Sequence, residues 1–127
     1  MSENHPCLTV SDRNKVLDYV KNKYQTLPDY PWRSHPSYAV LRHTRHRKWY
    51  GVVMSVARNK LGLPGDGRID VMNLKCRPEL IGALRLAPGF LPAYHMNKEH
   101  WITVVLDGSI PEEEIFDLID LSFHLTK

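Results

Sequence analysis

Cysteine is nearly absent from this sequence: Cys7 and Cys76 are the only two, far apart and outside any C-x-x-C spacing. That argues against a disulfide framework and against a zinc knuckle. No apolar run approaches the roughly 20 residues that a membrane-crossing helix needs. The opening residues, Met1-Ser2-Glu3-Asn4-His5-Pro6, have neither the basic nor the apolar region of a secretory signal. The expectation is a cytoplasmic protein with no membrane association. There is also no Gly-x-Ser-x-Gly elbow, no phosphate-binding glycine loop and no dinucleotide fingerprint. A non-enzymatic protein with no cofactor is therefore expected. A chain of 127 residues suits one domain, here 1-127.

Excess charge is lacking too. The net charge is only +3, but the charges are segregated. Arg42-His43-Thr44-Arg45-His46-Arg47-Lys48 packs four fixed positive charges and two histidines into seven positions. Glu112, Glu113, Glu114, Asp117 and Asp120 crowd the C-terminal segment. A basic run suits a polyanion or a phosphate. A solvated hairpin end explains it equally well.

Periodicity supplies the secondary structure. Val16, Leu17, Val20 and Tyr24 recur at helical spacing behind Ser11, a good N-cap, which predicts a helix from Ser11 to about Tyr24. Pro28 and Pro31 end that pattern. Strands are expected over Ser37 to Arg42, Lys48 to Ala57 and Arg68 to Leu74, joined by short turns that favour antiparallel hairpins. Pro64-Gly65 fits a type II turn. A short helix over Arg77 to Arg85, a fourth strand over Trp101 to Leu106 and a last helix from Pro111 to about Leu125 complete the order. Runs of antiparallel strands between helices indicate α+β: an antiparallel sheet with helices packed on one face. Val16, Val20, Val52, Met54, Ile102, Val104, Leu118 and Ile119 are the expected core.

Alternation assigns the faces of two strands. Ile102, Val104 and Leu106 should face the helices, leaving Trp101, Thr103 and Val105 on the open side. By the same logic Tyr50, Val52, Met54 and Val56 should face the helices, with Trp49, Gly51, Val53 and Ser55 opposite.

The densest concentration of chemistry is His95-x-Asn97-Lys98-x-His100-Trp101, followed by Leu106-Asp107-Gly108. This string resembles the signature of the MmcQ/YjbR family of small bacterial proteins. His35-Pro36-Ser37, Arg47-Lys48-Trp49, Asn73-Leu74-Lys75 and Ser122-Phe123 extend the resemblance from about Trp32 to the C-terminus. The resemblance implies a frataxin-like, YjbR-like α+β architecture and a DNA-binding role. Frataxin-type iron binding uses an acidic ridge on the first helix. Here that helix carries Arg13, Lys15, Lys21 and Lys23 against Asp12 and Asp18, and Glu113, Asp117 and Asp120 lie on the last helix instead.

The candidate nucleic-acid-binding set is thus Arg42, Arg45, Arg47 and Lys48 on the basic turn, Trp49 after it, Lys75, and His95, Lys98, His100 and Trp101 in the motif. Lysines would supply fixed charge, histidines tunable donors and tryptophans stacking platforms. The partner would be DNA or another polyanion. The competing explanation for the motif is structural, with histidines satisfying loop carbonyls and Trp101 anchoring the core. The alternative function is a small-molecule or protein-binding module that uses the open sheet face. No metal is expected: His95 and His100 are five apart on a loop, and His43 and His46 sit among arginines. Catalysis finds little beyond Cys76, whose thiol pKa Lys75 and Arg77 would lower if it were exposed, and a Ser122, His95, Asp107 triple.

Overall fold

The computed structural model describes residues 12–127. The expected cap Ser11 and the tail residue Cys7 lie outside them. The order is α1 (Asp12–Tyr24), β1 (Ala39–Arg42), β2 (Trp49–Ala57), β3 (Arg68–Lys75), α2 (Pro78–Leu84), β4 (Phe90–Pro92), β5 (Trp101–Val105) and α3 (Glu112–Leu125). The five strands form one sheet in the order β1-β2-β3-β5-β4, and every neighbouring pair is antiparallel. The expected α+β architecture is therefore present. β4 was not expected. It has three residues, too few for alternation to register, and it exists because Phe90 and Leu91 pair with Val104 and Thr103 of β5.

Helices cover one face of this sheet. Val16 and Val20 of α1, Ile81 of α2 and Ile115, Leu118 and Ile119 of α3 bury against Leu41, Val53, Met72, Leu74, Ile102 and Val104. Outside that core, aromatic stacking joins α1 to α3. Tyr19 stacks on Phe116 at 4.0 Å between centroids, and Tyr24 on Phe123 at 3.7 Å. Asp120 completes the seam, accepting hydrogen bonds from Tyr19 (2.8 Å), Tyr24 (2.6 Å) and Lys23 (2.9 Å). Burial works against the charged form of Asp120, yet these three donors outweigh it and hold the carboxyl below its usual range. One of the acids on the last helix is thus engaged in packing rather than in a ridge.

All eight expected core residues are buried, but Val52, Met54 and Val56 point away from the helices. A β-bulge is the cause. Leu41 pairs with Gly51 and Arg42 with Trp49, so Tyr50 is the extra residue on β2. Tyr50 and Gly51 consequently face the same side. A Cβ on Gly51 would meet Met72 at 3.0 Å and Leu41 at 3.2 Å, both in the helix-side core. The expected faces of Gly51, Val52, Val53, Met54 and Val56 are therefore inverted. Trp49 precedes the bulge and alternates with the helix-side Tyr50, so it keeps its expected place opposite the helices. β5 has no bulge and follows simple alternation, with Ile102 and Val104 in the helix-side core and Val105 opposite.

The side away from the helices is not bare. Val40, Val52, Met54, Val56, Ile69, Val71 and Val105 form a second apolar layer, roofed by Tyr38, Leu61, Leu63 and Tyr94 from the connections between elements and by Leu91 of β4. Part of that roof is missing above β2 and β3, and a cleft opens there.

Candidate binding cleft

The cleft has a volume of about 600 Å³. Val52, Met54 and Asn73 are its floor, contributed by the two central strands. One wall comes from the loop between α1 and β1, carrying Trp32, His35 and Tyr38. Pro28, Pro31 and Pro36 fix the backbone of that loop. Asp29 pins it by exchanging both backbone hydrogen bonds with Val40 on edge strand β1, at 2.9 and 2.8 Å. At its start Thr26 meets the buried Tyr50 hydroxyl at 2.5 Å. Burial pushes that phenol up to about 12, with Thr26 opposing.

The wall's rings interlock. Trp32 stands edge-on to Trp49 at 5.6 Å and to Tyr38 at 5.9 Å, and His35 stacks on Tyr38 at 4.5 Å. The opposite wall is the loop from Tyr94 to Asn97. A buried network holds it. The Asn73 carboxamide donates to the Tyr94 carbonyl (2.8 Å), the Thr103 hydroxyl donates to the Asn73 oxygen (2.5 Å), and the Tyr94 amide donates to Thr103 (2.9 Å). Next to it His95 adopts a left-handed backbone, φ +59°, edge-on to Tyr94 at 4.0 Å. A non-glycine residue in that region costs on the order of 1–3 kcal/mol, and such residues cluster at ligand sites. Lys60, on the 3-10 helix Arg58–Leu61, closes the end.

The candidate residues separate into four groups. Trp49 and His95 line the cleft. Arg42 lies over the Trp49 ring, 5.4 Å from its centre, and both Arg42 and Arg47 bond Asp29 Oδ2, at 2.6 and 3.0 Å. Lys75, Lys98, His100 and Trp101 stay outside, with Lys75 6.0 Å over the Trp101 ring. The basic run is not one patch. Arg45 and His46 border a separate hollow of about 670 Å³ beside Phe123 and Lys127. His43 is buried between them and the core, bonded to Thr126 at 2.8 Å. Burial pushes its imidazole down, and His46 adds to that. Arg45 and Lys48 are exposed and have no ion pair among the described residues.

Much of the motif is loop carpentry. Asn97 accepts from the amides of His100 and Trp101 and, through its side chain, from Glu99. Asp107 takes the amide and hydroxyl of Ser109. Cys76 is buried, and burial pushes its thiol up against the pull of Arg77, so the low-pKa thiol that its neighbours suggested is not formed. Ser122 donates to the Tyr50 carbonyl (2.5 Å) and accepts from the Lys75 amide (2.9 Å), a packing role and not a nucleophile's. No cluster of three or more His, Cys, Asp or Glu suited to a metal occurs among the described residues.

A family model for YjbR matches residues 21–125. The chain belongs to the YjbR family. This YjbR-family protein is 56% identical over 115 residues to the uncharacterized protein YyaQ of Bacillus subtilis (strain 168), covering 91% of this chain and 98% of that one. It is 45% identical over 54 residues to the uncharacterized protein YjbR of Escherichia coli (strain K12), covering 42% and 46%. A crystal structure of a Pseudomonas syringae protein superimposes with a TM-score of 0.88 at 52% identity, over 91% of this chain and 98% of that one. The Deinococcus radiodurans protein DR2400 shares the fold, with a TM-score of 0.69 at 24% identity over 91% of this chain and 78% of that one. No helix among the described residues is long and apolar enough to cross a membrane.

The cleft residues that sequence reasoning passed over are Trp32, His35, Tyr38, Lys60 and Tyr94. A signal existed for the first three: a proline-rich loop that places aromatics where no periodicity requires them.

Proposed function

We propose that this protein is a non-enzymatic binding protein whose cleft takes a planar aromatic ring, seated on Val52 and Met54 and flanked by Trp49, Trp32 and Tyr94. The carrying observation is the cleft itself: about 600 Å³, within the range of small-molecule sites, apolar at the floor and aromatic at the walls. Stacking on such rings contributes about 1–3 kcal/mol. Arg42 lies over the Trp49 ring and Trp32 meets it at a steep angle, so a ligand ring would meet Trp49 from the cleft that it lines.

Titration with riboflavin and with adenosine, followed by tryptophan fluorescence, tests this. Trp49→Ala should weaken binding about tenfold, and Trp101→Ala should not. If neither compound binds, or if the two variants behave alike, the cleft is not the site.

A second reading, single-stranded DNA binding, has one observation in its favour. Arg42 pairs with Trp49 and Lys75 with Trp101, so charge and aromatics share one end of the sheet. Strand β3 lies between the two tryptophan strands, so at about 4.8 Å per strand step the rings stand on the order of 10 Å apart, a span for two unstacked bases. Arg45 and Lys48 would meet phosphates. Replacing both with alanine should then reduce the salt slope by about 0.7 for each phosphate no longer neutralised. An unchanged slope removes the turn from any nucleic-acid interface.

A further inference from the structure

The cleft adjoins a smaller hollow of about 270 Å³ that shares His35, Tyr38, Lys60 and Tyr94 with it and adds Ser34 and Arg68. The two chambers differ in chemistry. The larger holds the tryptophans and methionines. The smaller gathers both fixed positive charges, Lys60 and Arg68, around hydroxyls. Burial pushes the Tyr38 phenol up, so this hydroxyl keeps its proton and can donate.

Neither cation is neutralised by a described residue. Among the described residues no carboxylate lies within 4.0 Å of Lys60 or Arg68, and no Asp or Glu lines either chamber. Asp70 leaves β3 on the same face as Arg68, but its carboxylate lies 3.8 Å from Arg13 of α1 and not within 4.0 Å of Arg68. Asp66 borders Arg68 only across a different hollow. The Arg68 guanidinium is also held in place. Its Nε donates to the Ser55 hydroxyl at 3.0 Å and its Nη2 to the Ser55 carbonyl at 2.6 Å, which leaves Nη1 without a partner among the described residues.

An aromatic chamber joined to a fixed, unpaired cationic one selects a two-part ligand. We infer that the ligand is a planar heteroaromatic compound carrying a phosphate or an equivalent anionic group, its ring against Trp49 and its anion between Lys60 and Arg68. This rests on the ring-binding reading above and names its ligand class. A cationic ring is disfavoured, since no carboxylate would face it. A neutral ring would leave two cations beside it with nothing to bind. The same chemistry is offered by a free nucleotide-like molecule and by a 5′-phosphorylated strand end.

Two matched pairs test the anion and the ring separately: riboflavin against its 5′-phosphate, and adenosine against its 5′-monophosphate. Dissociation constants come from tryptophan quenching at low salt, for the native protein and for Lys60→Gln and Lys60→Glu. Lys60 is exposed and makes no hydrogen bond or ion pair among the described residues, so both variants should fold. The phosphorylated member should bind about tenfold more tightly, as a charge-assisted hydrogen bond provides. The preference should largely disappear in Lys60→Gln and reverse in Lys60→Glu. If each pair binds equally, or if the preference survives Lys60→Glu, the anion does not sit there, although ring binding stands. If no compound binds, both fail. A 5′-phosphorylated oligothymidylate that outcompetes both mononucleotides would overturn the free molecule as the source.

Discussion

Trp32 stands edge-on to Trp49, with centroids 5.6 Å apart and planes at 85°. One ring comes from a loop and the other from a sheet strand, so this pair joins the loop wall to the sheet. Trp32 is 36% exposed and adds little to the core. Trp32 also meets Tyr38, so Trp32→Ala should cost about 1–3 kcal/mol of stability, the value of two aromatic pairs. Its riboflavin affinity should fall about tenfold as well. A urea titration and a fluorescence titration on the same variant separate the two.

Gly51 follows the bulge and turns its missing side chain toward the helix-side core. A Cβ there would stand 3.0 Å from Met72, 3.2 Å from Leu41 and 3.4 Å from Leu74. Gly51→Ala presses on the flexible end of Met72 and should be tolerated at modest cost. Gly51→Val should cost about 1–3 kcal/mol by overpacking, read as a lowered urea midpoint with an unchanged slope.

Thr103 links Asn73 to the Tyr94 amide. Thr103→Val keeps the shape and leaves a buried acceptor and a backbone donor unpaired. The expected loss is about 1–3 kcal/mol. Hydrogen exchange at the Tyr94 amide should speed up more than at β3 amides, because the change frees the cleft wall before it frees the sheet.

Asp120 makes stability depend on acid. Its carboxyl pKa is lower in the folded protein than in the unfolded chain, where it is about 3.9. Its contribution is therefore complete above that value and is lost as pH falls through the lower folded one. Asp120→Asn should destabilise at pH 7 by on the order of 1 kcal/mol. The gap between native and variant should persist to about pH 5 and close below about pH 4. A gap that widened on acidification would contradict the hydrogen-bond assignment.

The element order was legible because the longer helices and strands carry enough apolar periodicity. Two features were not. The bulge at Tyr50 is a property of pairing between β1 and β2, and alternation within β2 alone contains no sign of it. β4 is held by its partner and not by its own pattern. The site was half legible. Trp49 and His95 stood out by residue type and position. Trp32, Tyr38 and Lys60 come from loops, where spacing says nothing about direction. The run from Arg42 to Lys48 read as one basic patch because its residues are adjacent in sequence. In the hairpin they diverge: Arg42 and Arg47 go to Asp29, His43 goes to Thr126 in the core, and Arg45 goes to the far hollow.

The sequence holds only three tryptophans, Trp32, Trp49 and Trp101, and two of them line the cleft. Their indole N–H signals in a nitrogen–proton correlation spectrum report the site directly. Titration with riboflavin 5′-phosphate should shift the Trp32 and Trp49 signals together and leave Trp101 where it is. A shift of Trp101 alone, or no shift of Trp32 and Trp49 at saturating ligand, would contradict ring binding in this cleft.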